Sequence, residues 1–212
     1  SAHPIKMDDY DFLYILKLPR YKGETYVNNI LNDLLKTEYK VNKRRYEDAN
    51  IYELNIPLYT SEKGLLTYAV VQGLFIASFS SLLVEESIRQ INKKKNFNED
   101  EVFTKVRDVA GANVDANIYV NFKMLPGLLT TYLSSQNYKA FKFMKYFAKW
   151  AEMDLKIKED AIMLNGFTAS EDSLPTYLNI FLKQKPQTME VTNYIPNQTA
   201  TLMYFGMSDF SS

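Results

Sequence analysis

The sequence predicts an α+β fold: a mainly antiparallel sheet with helices packed on one face, built through an internal duplication. Three observations carry this expectation. Residues 115–124 alternate strictly, with Ile118, Val120, Phe122 and Met124 on one side and Asn117, Tyr119, Asn121 and Lys123 on the other. Such a period of two places one face on a core and the other toward solvent or a neighbour. An earlier stretch, Asp9 to Leu18, aligns with it without a gap and puts Phe12, Tyr14, Leu16 and Leu18 on the core positions. Short strands also follow one another directly, with helices arriving between hairpins, which is the α+β order.

The elements follow in order. Residues 10–18 form a first strand, apolar on both faces and therefore central, and Pro19 ends it. Thr25 opens a helix whose stripe is Val27, Ile30, Leu31, Leu34 and Leu35. Residues 39–47 and 50–57 form a hairpin around Glu47-Asp48-Ala49-Asn50, with Pro57 at an edge. A second hairpin, Leu65–Val71 with Leu74–Ser78, turns at Gln72-Gly73, where glycine supplies positive φ. Ser80 or Ser81 caps the next helix, whose stripe is Val84, Ile88 and Ile91; Glu85 and Glu86 sit early and Lys93-Lys94-Lys95 at its end, as the helix dipole favours. Asn98 and Glu101 resemble a capping box for a short helix ended by Gly111. After the strand at 115–124 comes a helix with Leu128, Leu129, Tyr132 and Leu133, then a helically spaced run of Phe143, Phe147 and Trp150. Met153, Leu155 and Ile157 alternate with Glu152, Asp154, Lys156 and Lys158 as a two-sided strand, the charged side toward solvent. Ala161–Leu164 is a further strand, ended by Asn165-Gly166. Ser173-Leu174-Pro175 opens a last helix through Tyr177, Leu178, Phe181 and Leu182, and residues 199–205 form a closing strand.

The order of elements repeats. The first copy spans 8–110 and the second 111–198. Residues 199–212 then begin a third copy or close the sheet, the whole making one compact unit. The copies share one continuous sheet or form two.

Composition excludes several classes. Lysine plus arginine number 25, as do aspartate plus glutamate, so no basic surface argues for nucleic acid. Cysteine is absent, which removes disulfides, thiolate metal sites and cysteine nucleophiles and suits an oxidising compartment. The single histidine, His3, is expected in a disordered N-terminal tail, so histidine-dependent triads and multi-histidine metal sites have nothing to draw on. No stretch reaches the roughly 18 apolar residues of a membrane span. The chain begins Ser1-Ala2-His3-Pro4 without methionine, which reads as a trimmed start, with any membrane anchor expected outside this stretch.

Four phrases together suggest a family: Asp115-Ala116-Asn117-Ile118-Tyr119-Val120-Asn121, residues 75–85 (Phe75 to Glu85), Trp150-Ala151-Glu152-Met153-Asp154-Leu155 and Leu164-Asn165-Gly166-Phe167. The chain resembles a domain-of-unknown-function family of anchored cell-envelope proteins from Bacteroides-type bacteria. That resemblance implies an internal piece of a longer extracytoplasmic protein, periplasmic or surface-exposed. It brings no established activity and no functional residues.

Motifs with chemistry are missing: no GxGxxG, Walker loop, HExxH, GxSxG or EF-hand loop occurs, and no cofactor or metal is expected. Acid pairs are Glu85 with Glu86, Glu152 with Asp154, and Asp100 with Glu101. A glycan hydrolase would need two such carboxylates facing each other at roughly 5–9.5 Å; helix-dipole roles and a solvated strand face account for the same residues. Tyr39, Tyr46, Tyr119 and Tyr138 are candidate outer-face aromatics for stacking on a sugar or a peptide, and cross-strand pairing is the plainer use of them. Lys43-Arg44-Arg45 and Lys93-Lys94-Lys95 suit solvated surface or acidic partners. The resulting expectation is a non-enzymatic envelope module that binds a protein or glycan, or acts as a spacer. The alternative is the carboxylate-dependent hydrolase.

Overall fold

The computed structural model describes residues 1–6, 9–20, 22–35, 41–56, 64–93, 97–132, 141–170, 176–181 and 183–208. It is an α+β structure with two antiparallel sheets. The chain divides into two units, Ser1–Glu99 with Gly127–Tyr138, and Asp100–Pro126 with Lys139–Ser212. The two sheets hold six and three strands, and this architecture does not display the expected duplication.

In the first unit the strands are β1 (Ala2–Lys6), β2 (Asp9–Lys17), β3 (Val41–Tyr46), β4 (Ala49–Asn55), β5 (Leu65–Val71) and β6 (Leu74–Ser78), with helices α1 (Glu24–Leu35) and α2 (Ser81–Lys93). Their order across the sheet is β1-β2-β6-β5-β4-β3. The β5–β6 turn is the expected one: Gln72 and Gly73 have φ of 49° and 78°, the pair of positive values a two-residue hairpin demands. In the β3–β4 turn Glu47 takes φ 48°.

Adjacent residues on these strands are apolar in pairs, so both faces need cover. On one face Leu13, Ile51, Ala69 and Ile76 pack with Leu83, Val84 and Ile88 of α2. On the other, Tyr52, Tyr68 and Ala77 pack with Val27 and Leu31 of α1. The helices therefore cover both faces of this sheet, where the sequence suggested one. Of the core positions expected on β2, Phe12, Tyr14 and Leu16 are exposed, while Tyr10 and Leu13 are buried; Leu18, just past its end, packs half-buried beside the α1-side cluster. His3 is no disordered tail: it sits in β1 opposite Asp11.

The second unit holds α3 (Glu101–Asp108), β7 (Ala116–Asn121), β8 (Trp150–Ile157) and β9 (Ile162–Ala169), ordered β7-β8-β9; helix α4 (Leu125–Tyr132) follows β7 and from Gly127 on belongs to the first unit. Val102 and Val106 of α3 bury against Trp150, with Phe103 and Ala169 beside them. The opposite face carries Phe122, Ala148 and Ala151 with Val120, Leu125 and Leu178. Three expectations change here. The run through Phe143 and Phe147 is a short 3-10 helix, Lys142–Tyr146, and Trp150 opens β8 instead of closing a helix. β9 runs straight through Asn165-Gly166 to Ala169. Residues 199–205 form no strand; Phe205 stacks on Phe181 and the Tyr204 hydroxyl donates to the Thr188 carbonyl at 3.2 Å. The final helix expected from Ser173-Leu174-Pro175 begins outside the described residues; a 3-10 turn covers Tyr177–Phe181.

Candidate functional site

Alternation along β8 puts Trp150, Glu152 and Asp154 on the face that α3 covers. Pairing with β7 sets Tyr119 opposite Glu152 and Asn117 opposite Asp154. Pairing with β9 sets Phe167 on the other side of Glu152. Phe103 of α3 closes the aromatic end, its ring 4.9 Å from Trp150 and 5.4 Å from Tyr119.

Asp100 ties the helix to the sheet. Its carboxylate accepts from the Val102 and Phe103 N–H groups at 3.0 and 3.2 Å as the N-cap of α3. It also accepts from the Trp150 indole at 3.2 Å and pairs with Lys149 at 3.3 Å. Partial burial pushes this carboxyl up. The Phe103 N–H, the indole and the Lys149 ammonium together outweigh that and hold it below its usual value. Asp100→Ala should cost about 1–2 kcal/mol, the range for a lost cap. Urea unfolding at pH 7 measures it. Because the depressed carboxyl contributes stability above its unfolded pKa and loses it as pH falls through the folded one, the cost should vanish in strong acid.

Deeper along the strand the two remaining acids diverge. Asp154 accepts from the Gly111 N–H at 2.9 and 3.1 Å and from the Asn117 amide at 2.7 Å. The Gly111 N–H is the main reason its carboxyl lies below the usual range, against partial desolvation and with help from Glu152 and Asn117. Glu152 has no exposed surface, and neither of its carboxylate oxygens finds a donor among the described residues. Burial pushes its carboxyl up, and neighbouring Asp154 pushes it further, against a small pull from Asn117. The Asp154 carboxylate beside it therefore favours the protonated form of Glu152. Burial and these two carboxylates also raise the Tyr119 phenol. An acid–base pair with opposed shifts is a familiar catalytic device. A catalytic acid, however, must touch its substrate, and Glu152 presents no surface to one.

The other candidates are placed as follows. Glu85 accepts from Arg44 at 2.6 Å, and Arg44 also donates to Glu53 at 2.7 Å; Glu53 is the main cause of its raised guanidinium pKa. Glu86 instead lines a groove of about 430 Å³ with Leu13, Ile15, Leu74, Leu83 and Ile91. Lys43 pairs with Glu24 at 3.4 Å. Glu101 is exposed in the first turn of α3. The Tyr46 hydroxyl accepts from Arg89 at 2.7 Å. Its ring packs beside the α2-side core, and Tyr119 packs on Phe103 in the other unit. The structure thus gives these two tyrosines separate neighbours. Tyr39, Tyr138, Lys94 and Lys95 lie outside the described residues.

The sequence reading missed β9 as a surface. Ending the strand at Asn165-Gly166 hid Phe167. β9 is eight residues long, carries no charge and, among the described residues, pairs on one side only. Ile162 is 73% exposed and Phe167 61%, with Met163 and Leu164 exposed between them. Its uncharged composition was the available signal. No family model, curated protein or solved structure matches this chain.

Proposed function

We propose that the chain is a non-enzymatic, extracytoplasmic protein-binding module of a larger envelope protein, and that it takes an extended strand of its partner onto β9. The open edge of β9 carries this reading. An edge strand offers a row of free N–H and C=O groups, and proteins usually guard such edges with lysine, proline, bulges or short length. β9 has none of these guards among its eight residues and displays Ile162, Leu164 and Phe167 to solvent. Strand addition supplies main-chain hydrogen bonds for affinity, and the exposed side chains supply specificity. The envelope setting rests on the cysteine-free composition and on the resemblance of the four sequence phrases. The burial of Glu152 speaks against the glycan-hydrolase alternative.

A photo-crosslinking amino acid in place of Phe167 tests this in the native cell, with Tyr14, exposed in the other unit, as the control position. Capture of a protein at position 167, absent at position 14 and abolished by Leu164→Lys, is the expected result. Equal labelling at both positions, or capture indifferent to Leu164→Lys, overturns the proposal.

A further inference from the structure

Resting on the strand-accepting role of β9, we infer that its occupant is the segment Thr199–Phe205 of a second copy of this chain. Thr199-Ala200-Thr201-Leu202-Met203-Tyr204-Phe205 has a strand's composition, with β-branched and aromatic residues in sequence. No sheet among the described residues takes it up. Met203 is 74% exposed, and Leu202, Tyr204 and Phe205 are exposed as well. Among its described residues the same unit therefore holds an apolar edge without a strand and an apolar strand sequence without an edge. Their lengths agree, seven residues against eight.

Charge selects this pairing over the obvious competitor. β9 is flanked in sequence by Glu159-Asp160 before and Glu171-Asp172 after. Two β9 strands laid antiparallel would set the acidic flank of one against the acidic flank of the other, which is repulsive. The stretch from Val191 to Ser208 contains no charged residue at all, so it brings no such penalty. Within its own chain the segment is tied down at its C-terminal end. Phe205 stacks on Phe181, and Ser208 donates to the Gln184 side chain at 2.6 Å through its N–H. A neighbouring molecule's β9 can meet it there without undoing those ties. The contact is head-to-tail, one copy's edge with another copy's segment.

Sedimentation equilibrium of the full chain tests the inference, using Leu164→Lys to block the edge and Met203→Lys to block the segment. Both side chains are exposed, so both variants should keep the wild-type circular dichroism; Phe167→Lys replaces the first if it does not. The wild type should exceed its 24.6 kDa monomer mass as concentration rises. Each variant alone should remain monomeric. Mixed in equal amounts they should associate again and stop at dimers, since each retains the half that the other lacks. Self-association of Met203→Lys alone would overturn the inference in favour of edge-to-edge pairing. A monomeric wild type would overturn it too. If Phe167 crosslinking still captures another protein in that case, the strand-accepting edge stands; if it captures nothing, both readings fall.

Discussion

Glu152→Gln should raise the melting temperature at pH 8 and leave it unchanged near pH 4. The wild-type carboxyl is fully buried without a donor, and burial holds its pKa above the ordinary value of 4.5. Below 4.5 both folded and unfolded chains carry the proton, and nothing is lost. Between that value and the raised folded pKa, the folded state binds more protons than the unfolded state, so stability falls as pH rises. Above the folded pKa the penalty is complete. Asp154 runs the other way: its depressed carboxyl contributes stability above its unfolded pKa and loses it as pH drops through the folded value. Glutamine copies the protonated acid, since its amide can donate to Asp154 at every pH. Relief of a buried, unsatisfied polar group is worth about 1–3 kcal/mol. For a chain of this size each kcal/mol moves Tm by about 2–4 °C. A shift of equal size at both pH values would contradict a titrating Glu152 and point to packing alone.

Gly166→Ala should be the most damaging single methyl in the second unit. A Cβ there would land on the Glu152 carbonyl oxygen and lie 2.7 Å from the Met153 Cα. These are backbone atoms of the paired strand, so no side-chain rotation relieves the overlap, and β8 and β9 must part. Overpacking costs about 1–3 kcal/mol where side chains can move; a backbone clash of this kind should cost about 3 kcal/mol or more. Gly23→Ala is the control, because a Cβ at Gly23 meets nothing within 4 Å and should change stability by less than about 0.5 kcal/mol. Chemical denaturation of the two variants measures both. Equal stability of the two would mean that β9 does not approach β8 at Gly166 as described.

This glycine also explains where the sequence was legible and where it was not. Asn-Gly after an apolar run is a strong turn signal, and it argued for the end of the strand at 165–166. Gly166 is not among the residues with positive φ. It is glycine because another backbone comes close, a use of glycine that leaves the same letter in the sequence. Gln72-Gly73, by contrast, reads true because the turn is local and owes nothing to a neighbour. The helix α1, with Val27 and Leu31 inward, and the strands of both hairpins are legible for the same reason. Period-two patterning likewise found Glu152 and Asp154 on one face of β8 but turned that face toward solvent, and Glu152 is fully buried. Here α3 lies over the polar-looking side, because Trp150 and Phe103 anchor it there. β2 poses the same difficulty: Phe12 and Leu13 are both apolar, and it is the packing of α2 against Leu13 that buries the one and leaves the other exposed.

The strand order of the first unit carries a consequence for how the chain acquires its shape. β3, β4, β5 and β6 pair with their immediate sequence neighbours, whereas β2 pairs with β6 across everything from Lys17 to Leu74. Closing that long loop costs entropy that no contact repays until the meander is in place. The meander is therefore expected to form first and β2 to join it later, with β1 on its outer side. A change at Ile51 or Ala69 should then slow folding itself, while a change at Leu13 should chiefly hasten unfolding. The border formed last should also be the one that reopens first, so the β2–β6 pairing is expected to set the kinetic lifetime of the unit.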